Sequence, residues 1–218
     1  MMSRDTRVPE HLVERLSDPS DIFPLVHALQ ALGKVIEEFN DTLYSRYEDV
    51  APKYRDVGLE QGLEAVSIII GAGFVAAQSI LASTFSNVKR LSELDGVRLA
   101  GGAGLPVAKR ELFQIAAYDR NGVPDIIGIN ALANYFKHAS EWSHDWNGLT
   151  RSLEIETART VSAMGLCPGD PDNMFRGAAA LALGGRDGLS KLATRMQEWR
   201  ESIEAEIKSR LIDADLLS

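Results

Sequence analysis

Five polar side chains recur along one short segment at the spacing of a helix face: Asn130, Asn134, Lys137, His138 and Glu141. Each brings a distinct chemical capacity. An imidazole exchanges a proton near neutral pH, so His138 is a candidate general acid or base. An amide both donates and accepts hydrogen bonds, and an ammonium supplies a point of positive charge. On the opposite side Ile129, Leu132, Phe136 and Ala139 follow the three-then-four spacing of a buried stripe. An ordinary solvated face would carry mostly Lys, Glu and Arg. Asparagine and histidine are mediocre helix formers, so helix propensity alone does not account for them.

Within that segment, Ala133-Asn134-Tyr135-Phe136-Lys137-His138 resembles the signature of HEPN-domain proteins: an Arg, usually followed by Asn, then three residues and a His. Asn134 and His138 match the Asn and His positions, and Ala133 stands where the motif has Arg. The order of elements is similar too: a long first helix, an apolar second helix, an irregular insert, and the motif on a later helix. The resemblance extends by architecture over about two thirds of the chain and by motif over two residues. It implies a helical bundle, commonly dimeric, of a kind that often cleaves RNA without a metal. Such cleavage needs a base at the 2′-hydroxyl and positive charge for the phosphorane oxygens. With Ala133 in place of the guanidinium, Lys137 or Arg120 would have to supply that charge, and Lys137 would do so without the bidentate fork. Asn130 and Glu141 complete the polar face as binding residues. The reading beside this one is a polar seam, in which the asparagines meet carbonyls of the insert and His138 bonds a neighbouring helix.

Other constellations carry less. Glu141-Trp142-Ser143-His144 has the Glu-x-x-His spacing of di-iron bundles, but the chain contains no second such pair. No metal and no cofactor is expected. Gly101-Gly102-Ala103-Gly104 lacks the strand and the Gly-Lys-Ser/Thr ending of a phosphate loop and reads as a turn. Trp142 and Trp146, four apart, read as anchors on one helix face. Trp146, at the end of that helix, is the one placed to stack a planar ligand. Cys167 is the only cysteine, so no intramolecular disulfide forms and a reducing cytoplasm is the simplest location.

The elements that must position these residues follow from periodicity. A charged segment, residues 1–20, forms an N-terminal arm, and residues 21–218 form one all-α helical bundle of about six helices with an irregular insert at 95–125. Ser20 or Asp21 caps a first helix running to about Val50, where Ala51-Pro52 breaks it. A short loop through Gly58 leads into a central helix. Its run Ala65–Ala82 has no charged residue, yet it contains Ser67, Gln78 and Ser79 and several small residues. It reads as a core helix buried nearly all round, with no membrane span expected. The polar-faced helix runs from Asp125 to about Gly148. Another follows over Thr150–Met164, then a short one over Met174–Leu183, stopped by Gly184-Gly185. The last helix carries Leu189, Leu192, Met196, Trp199, Ile203, Ile207 and Leu211 on one face. The long apolar stripes of the first and last helices suit a homodimer.

Of 218 residues, 45% are hydrophobic and 25% charged, and the net charge is -8, which gives no general attraction to nucleic acid. Acidity and the missing Arg favour a HEPN-like module, non-catalytic or weakly active, that acts in interaction or defence through the polar Asn/His face and binds a protein partner. The alternative is a metal-independent ribonuclease of a defence or toxin system, built on His138, Asn134 and Lys137.

Overall fold

The computed structural model describes residues 7–46, 50–116, 119–120, 122–138, 140–142, 145–185 and 187–217. The protein is an all-α helical bundle, 75% helical with 2% strand. In order, the helices are α1 Glu10–Glu14, α2 Pro19–Arg46, α3 Pro52–Ser92, α4 Asp95–Leu99, α5 Lys109–Leu112, α6 Asp125–His138, α7 Ser152–Ala163, α8 Asn173–Ala180 and α9 Gly188–Asp213. Strands β1 Asp119–Arg120 and β2 Val123–Pro124 pair antiparallel, with Arg120 opposite Val123. The chain divides into two compact units whose boundaries fall inside α2, α3 and α9 and between α5 and β1. One comprises residues 1–24, 79–117 and 194–218, and the other residues 25–78 and 118–193.

The first unit is organised by α9. Met196, Trp199, Ile203, Ile207 and Leu211 are all buried, as their spacing requires. The Trp199 indole donates to the Leu112 carbonyl at 3.1 Å, and its ring meets Phe113 edge to face. Residues 7–20 of the N-terminal arm pack here: Val8, Val13 and Leu16 are buried, and Val8 bridges to Leu217. Arg200, 2% exposed, donates to the backbone carbonyls of Asp18 and Arg15 at 3.1 and 3.4 Å. It thereby joins the Arg15 carbonyl at the end of α1 to the Asp18 carbonyl at the start of α2. Burial holds its pKa below the ordinary value, and the Asp21 and Asp18 carboxylates offset part of that.

The second unit contains the polar-faced helix α6. Ile126, Ile129, Ala131, Leu132 and Ala133 are buried along it. A Cβ on Gly71 would come within 2.1 Å of the Phe136 ring, so only glycine lets α3 approach α6 this closely. Gly177 of α8 does the same for Leu132, where a Cβ would lie 2.3 Å from Cδ2.

Several expected boundaries move. α2 begins two residues earlier, and its cap is neither Ser20 nor Asp21: the Asp18 carboxylate accepts from the Ser20 amide at 2.9 Å. α3 begins at Pro52 with no loop through Gly58, because proline suits the first helical position, where no amide hydrogen is needed. α3 is also not buried nearly all round. The stretch Tyr54–Ser92 is long and apolar enough to cross a membrane, and its 18-residue apolar window has mean hydropathy 2.0 with 39% of that window buried. The insert 95–125 is not wholly irregular, since it holds α4, α5 and the β1–β2 hairpin. Its Gly101–Gly104 turn passes through four consecutive positive φ values. α6 stops at His138 rather than near Gly148, and Trp146–Gly148 forms a separate 3-10 turn.

Three helices end in the same way. After α7, α8 and α9 a residue with positive φ (Gly165, Ala182 and Asp215) is followed by a leucine whose amide reaches back five residues. The bonds are Leu166 to Val161, Leu183 to Ala178 and Leu216 to Leu211, at 3.0, 2.8 and 2.8 Å. This is the Schellman arrangement, and each of those leucines is buried. The stop of α8 is therefore Ala182 and not Gly184-Gly185. A left-handed residue with a Cβ costs about 1–2 kcal/mol, so Ala182→Gly is expected to stabilise the protein by about 1 kcal/mol, read as a higher urea midpoint with an unchanged slope.

Candidate functional site

The polar face of α6 is built around a residue outside it, Gln78 of α3. The Gln78 side-chain nitrogen donates to Asn134 Oδ1 at 2.8 Å and to Asn130 Oδ1 at 3.0 Å. Its oxygen accepts from Lys137 Nζ at 2.6 Å. Lysine only donates, so it fixes the amide orientation: Gln78 Oε1 must face Lys137, which turns Nε2 toward the two asparagine oxygens. One amide thus ties three positions spread along α6 to one position on α3. Seven residues earlier on α3, Gly71 admits the Phe136 ring.

The expected site residues divide between two groups. Asn130, Asn134 and Lys137 converge on Gln78, and Asn130 and Asn134 are half-buried. His138 lies apart, with its side chain 47% exposed and Nδ1 3.2 Å from the Glu141 carboxylate. Among the described residues no hydrogen bond joins His138 to Asn134 or Lys137. Glu141 is not on the helix; it follows the end of α6 in a turn, its amide donating to the His138 carbonyl at 2.9 Å. Ala133, at the position of the motif Arg, is 0% exposed and part of the core. Arg120 is placed on β1 through its backbone, opposite Val123, and its side chain lies outside the described residues. Ala139, Ser143 and His144 also lie outside them, and with them the Glu-x-x-His pair. No group of three or more potential metal-binding side chains occurs among the described residues.

Trp142 and Trp146 do not share a helix face. They meet each other and Tyr135 edge to face, with centroids 5.6–6.1 Å apart. The Tyr135 hydroxyl accepts from the Asn173 side chain at 2.7 Å, and Asn173 also donates to the Cys167 carbonyl at 2.6 Å. This small cluster fastens the turn after α6 and the turn before α8. Trp146 is half-buried in it, and Asn173 is the first residue of α8.

Gln78 was the functional-looking residue that motif reading passed over. Its signal was present: a lone long-chain amide in an uncharged 18-residue run has to find a partner when packed. Neither a protein-family model nor a curated protein nor a solved structure matches the chain.

Removing the shared amide leaves the Asn130 and Asn134 oxygens and Lys137 without it. Gln78→Ala is expected to cost about 1–3 kcal/mol in urea unfolding. His138→Ala, at an exposed pair, is expected to stay within about 0.5 kcal/mol of wild type. Equal effects for the two variants would contradict this division of the face.

Proposed function

We propose that this chain is a non-catalytic, HEPN-like helical interaction module, in which the Asn/Lys face of α6 holds helices together instead of cutting RNA. The observation that carries this reading is the commitment of Asn134 and Lys137 to Gln78. Phosphoryl chemistry needs a positive group free to meet developing charge. Here the exposed Lys137 ammonium spends one of its three hydrogens on a neutral amide oxygen at 2.6 Å, which tethers it beside α3. Three further points support it. The motif's Arg position is a fully buried alanine. The imidazole of His138 faces a carboxylate, which favours neither RNA nor a cationic pocket. The net charge of -8 repels a polyanion. A homodimer and a cytoplasmic location belong to the same proposal; they rest on helix length and on the single cysteine.

The test is incubation of purified protein with a mixed RNA pool in EDTA, beside His138→Ala. The expected result is no cleavage above buffer by either protein, both showing the same helical circular dichroism. Cleavage by the wild type that His138→Ala abolishes would replace this reading with a metal-independent ribonuclease.

A further inference from the structure

The first half of α3 is a helix that its own sequence supports poorly. α3 has 41 residues and so is about 60 Å long. Between Tyr54 and Glu64 only Gly58 and Gly62 are buried. Each glycine costs about 1 kcal/mol of helix propensity relative to alanine. A stretch this short is marginal in water without packing on an apolar face.

Two rows of side chains run along the outward side of this stretch. Val57 and Ile68 are 51% and 54% exposed, and with Gln61 they fall within a narrow arc, as helical spacing dictates; Tyr54, also exposed, lies at the head of the same arc. Beside that arc Asp56, Glu60 and Glu64 stand four residues apart, all exposed. Like charges at this spacing oppose the helix by a few tenths of a kcal/mol per pair. Among the described residues none of the three carboxylates has an ion-pair partner. An apolar row can receive the apolar stripe of an amphipathic helix, and the carboxylate row beside it selects basic flanks on that helix.

We propose that the Val57–Ile68 face of α3 docks an amphipathic helix of a partner protein, with an apolar stripe flanked by Lys or Arg at four-residue spacing. Charge decides the occupant. A second copy laid on this face brings further carboxylates to Asp56, Glu60 and Glu64, and RNA brings phosphates. A basic helix pairs with that row while its apolar stripe covers Val57 and Ile68. Docking then lends the front of α3 the packing that it lacks. The inference rests on the module reading above, and it names the partner's chemistry.

The probe is a synthetic 18-residue helical peptide with leucines at i, i+3, i+4 and i+7 and lysines beside them; its twin has glutamate at every lysine. Anisotropy titrations use the full chain, with circular dichroism confirming that each variant is folded. Wild type is expected to bind the lysine peptide at least tenfold more tightly than the glutamate twin, with affinity falling as salt rises. Glu60→Lys combined with Glu64→Lys is expected to reverse that preference. Ile68→Ser, and independently Val57→Ser, is expected to weaken binding at least tenfold. Binding that ignores all of these substitutions overturns the proposal. So does a wild-type dimer, by light scattering, that Ile68→Ser converts to monomer, since a second copy then holds the face. Histidine-dependent RNA cleavage would overturn the module reading and leave the peptide result standing, so the two failures are told apart.

Discussion

Gln78 is a primary amide with one acceptor oxygen and two donor hydrogens, placed where an apolar helix meets a helix that carries two asparagines and a lysine. Every one of those groups constrains the others. Lys137 can only donate, so the amide has one orientation, and the asparagine oxygens must turn toward its nitrogen. A half-buried amide left without partners costs more than the bonds it makes contribute. The network therefore acts mainly by excluding other arrangements: a slip of α6 along α3 by one residue would strand several polar groups together. The neighbouring contact of Phe136 on Gly71 excludes the same slip by steric means. Polar and apolar constraints agree on one register, the kind of consistency that gives a fold a unique state.

That constraint also decides what the face is free to do. A helix face with Asn, Lys and His looks like a site because those residues carry chemistry. Asn134 and Lys137 are joined through Gln78, and although Lys137 stays exposed its ammonium is tethered there, so the untethered part of the face is His138 with Glu141, an imidazole beside a carboxylate. The surface with unspent interaction capacity lies instead on the front of α3, where apolar and acidic rows stand side by side.

Periodicity made the helices legible where one face is continuously apolar. The α9 stripe from Leu189 to Leu211 is buried at every position named from spacing alone. Ends were harder to place, because they depend on local hydrogen bonds that several residue types satisfy. Asp18 caps α2 ahead of the expected Ser20 or Asp21, and Ala182 takes the left-handed stop position expected at Gly184-Gly185. α6 ends at His138, and beyond it Trp142 and Trp146 meet Tyr135, a contact that no repeat spacing announces. The partner of the polar face was hidden for a similar reason. Gln78 lies 52 residues before Asn130, and nothing in sequence spacing pairs them.

The most direct measurement is a double-mutant cycle on the central bond: wild type, Gln78→Ala, Asn134→Ala and the double variant, each unfolded in urea. The expected coupling is about 0.5–3 kcal/mol, because the two side chains belong to one network and each loss already includes the other. Strict additivity, with a coupling near zero, would mean that Gln78 and Asn134 do not depend on each other in solution. The polar face would then be open, and the case for a structural seam would be gone.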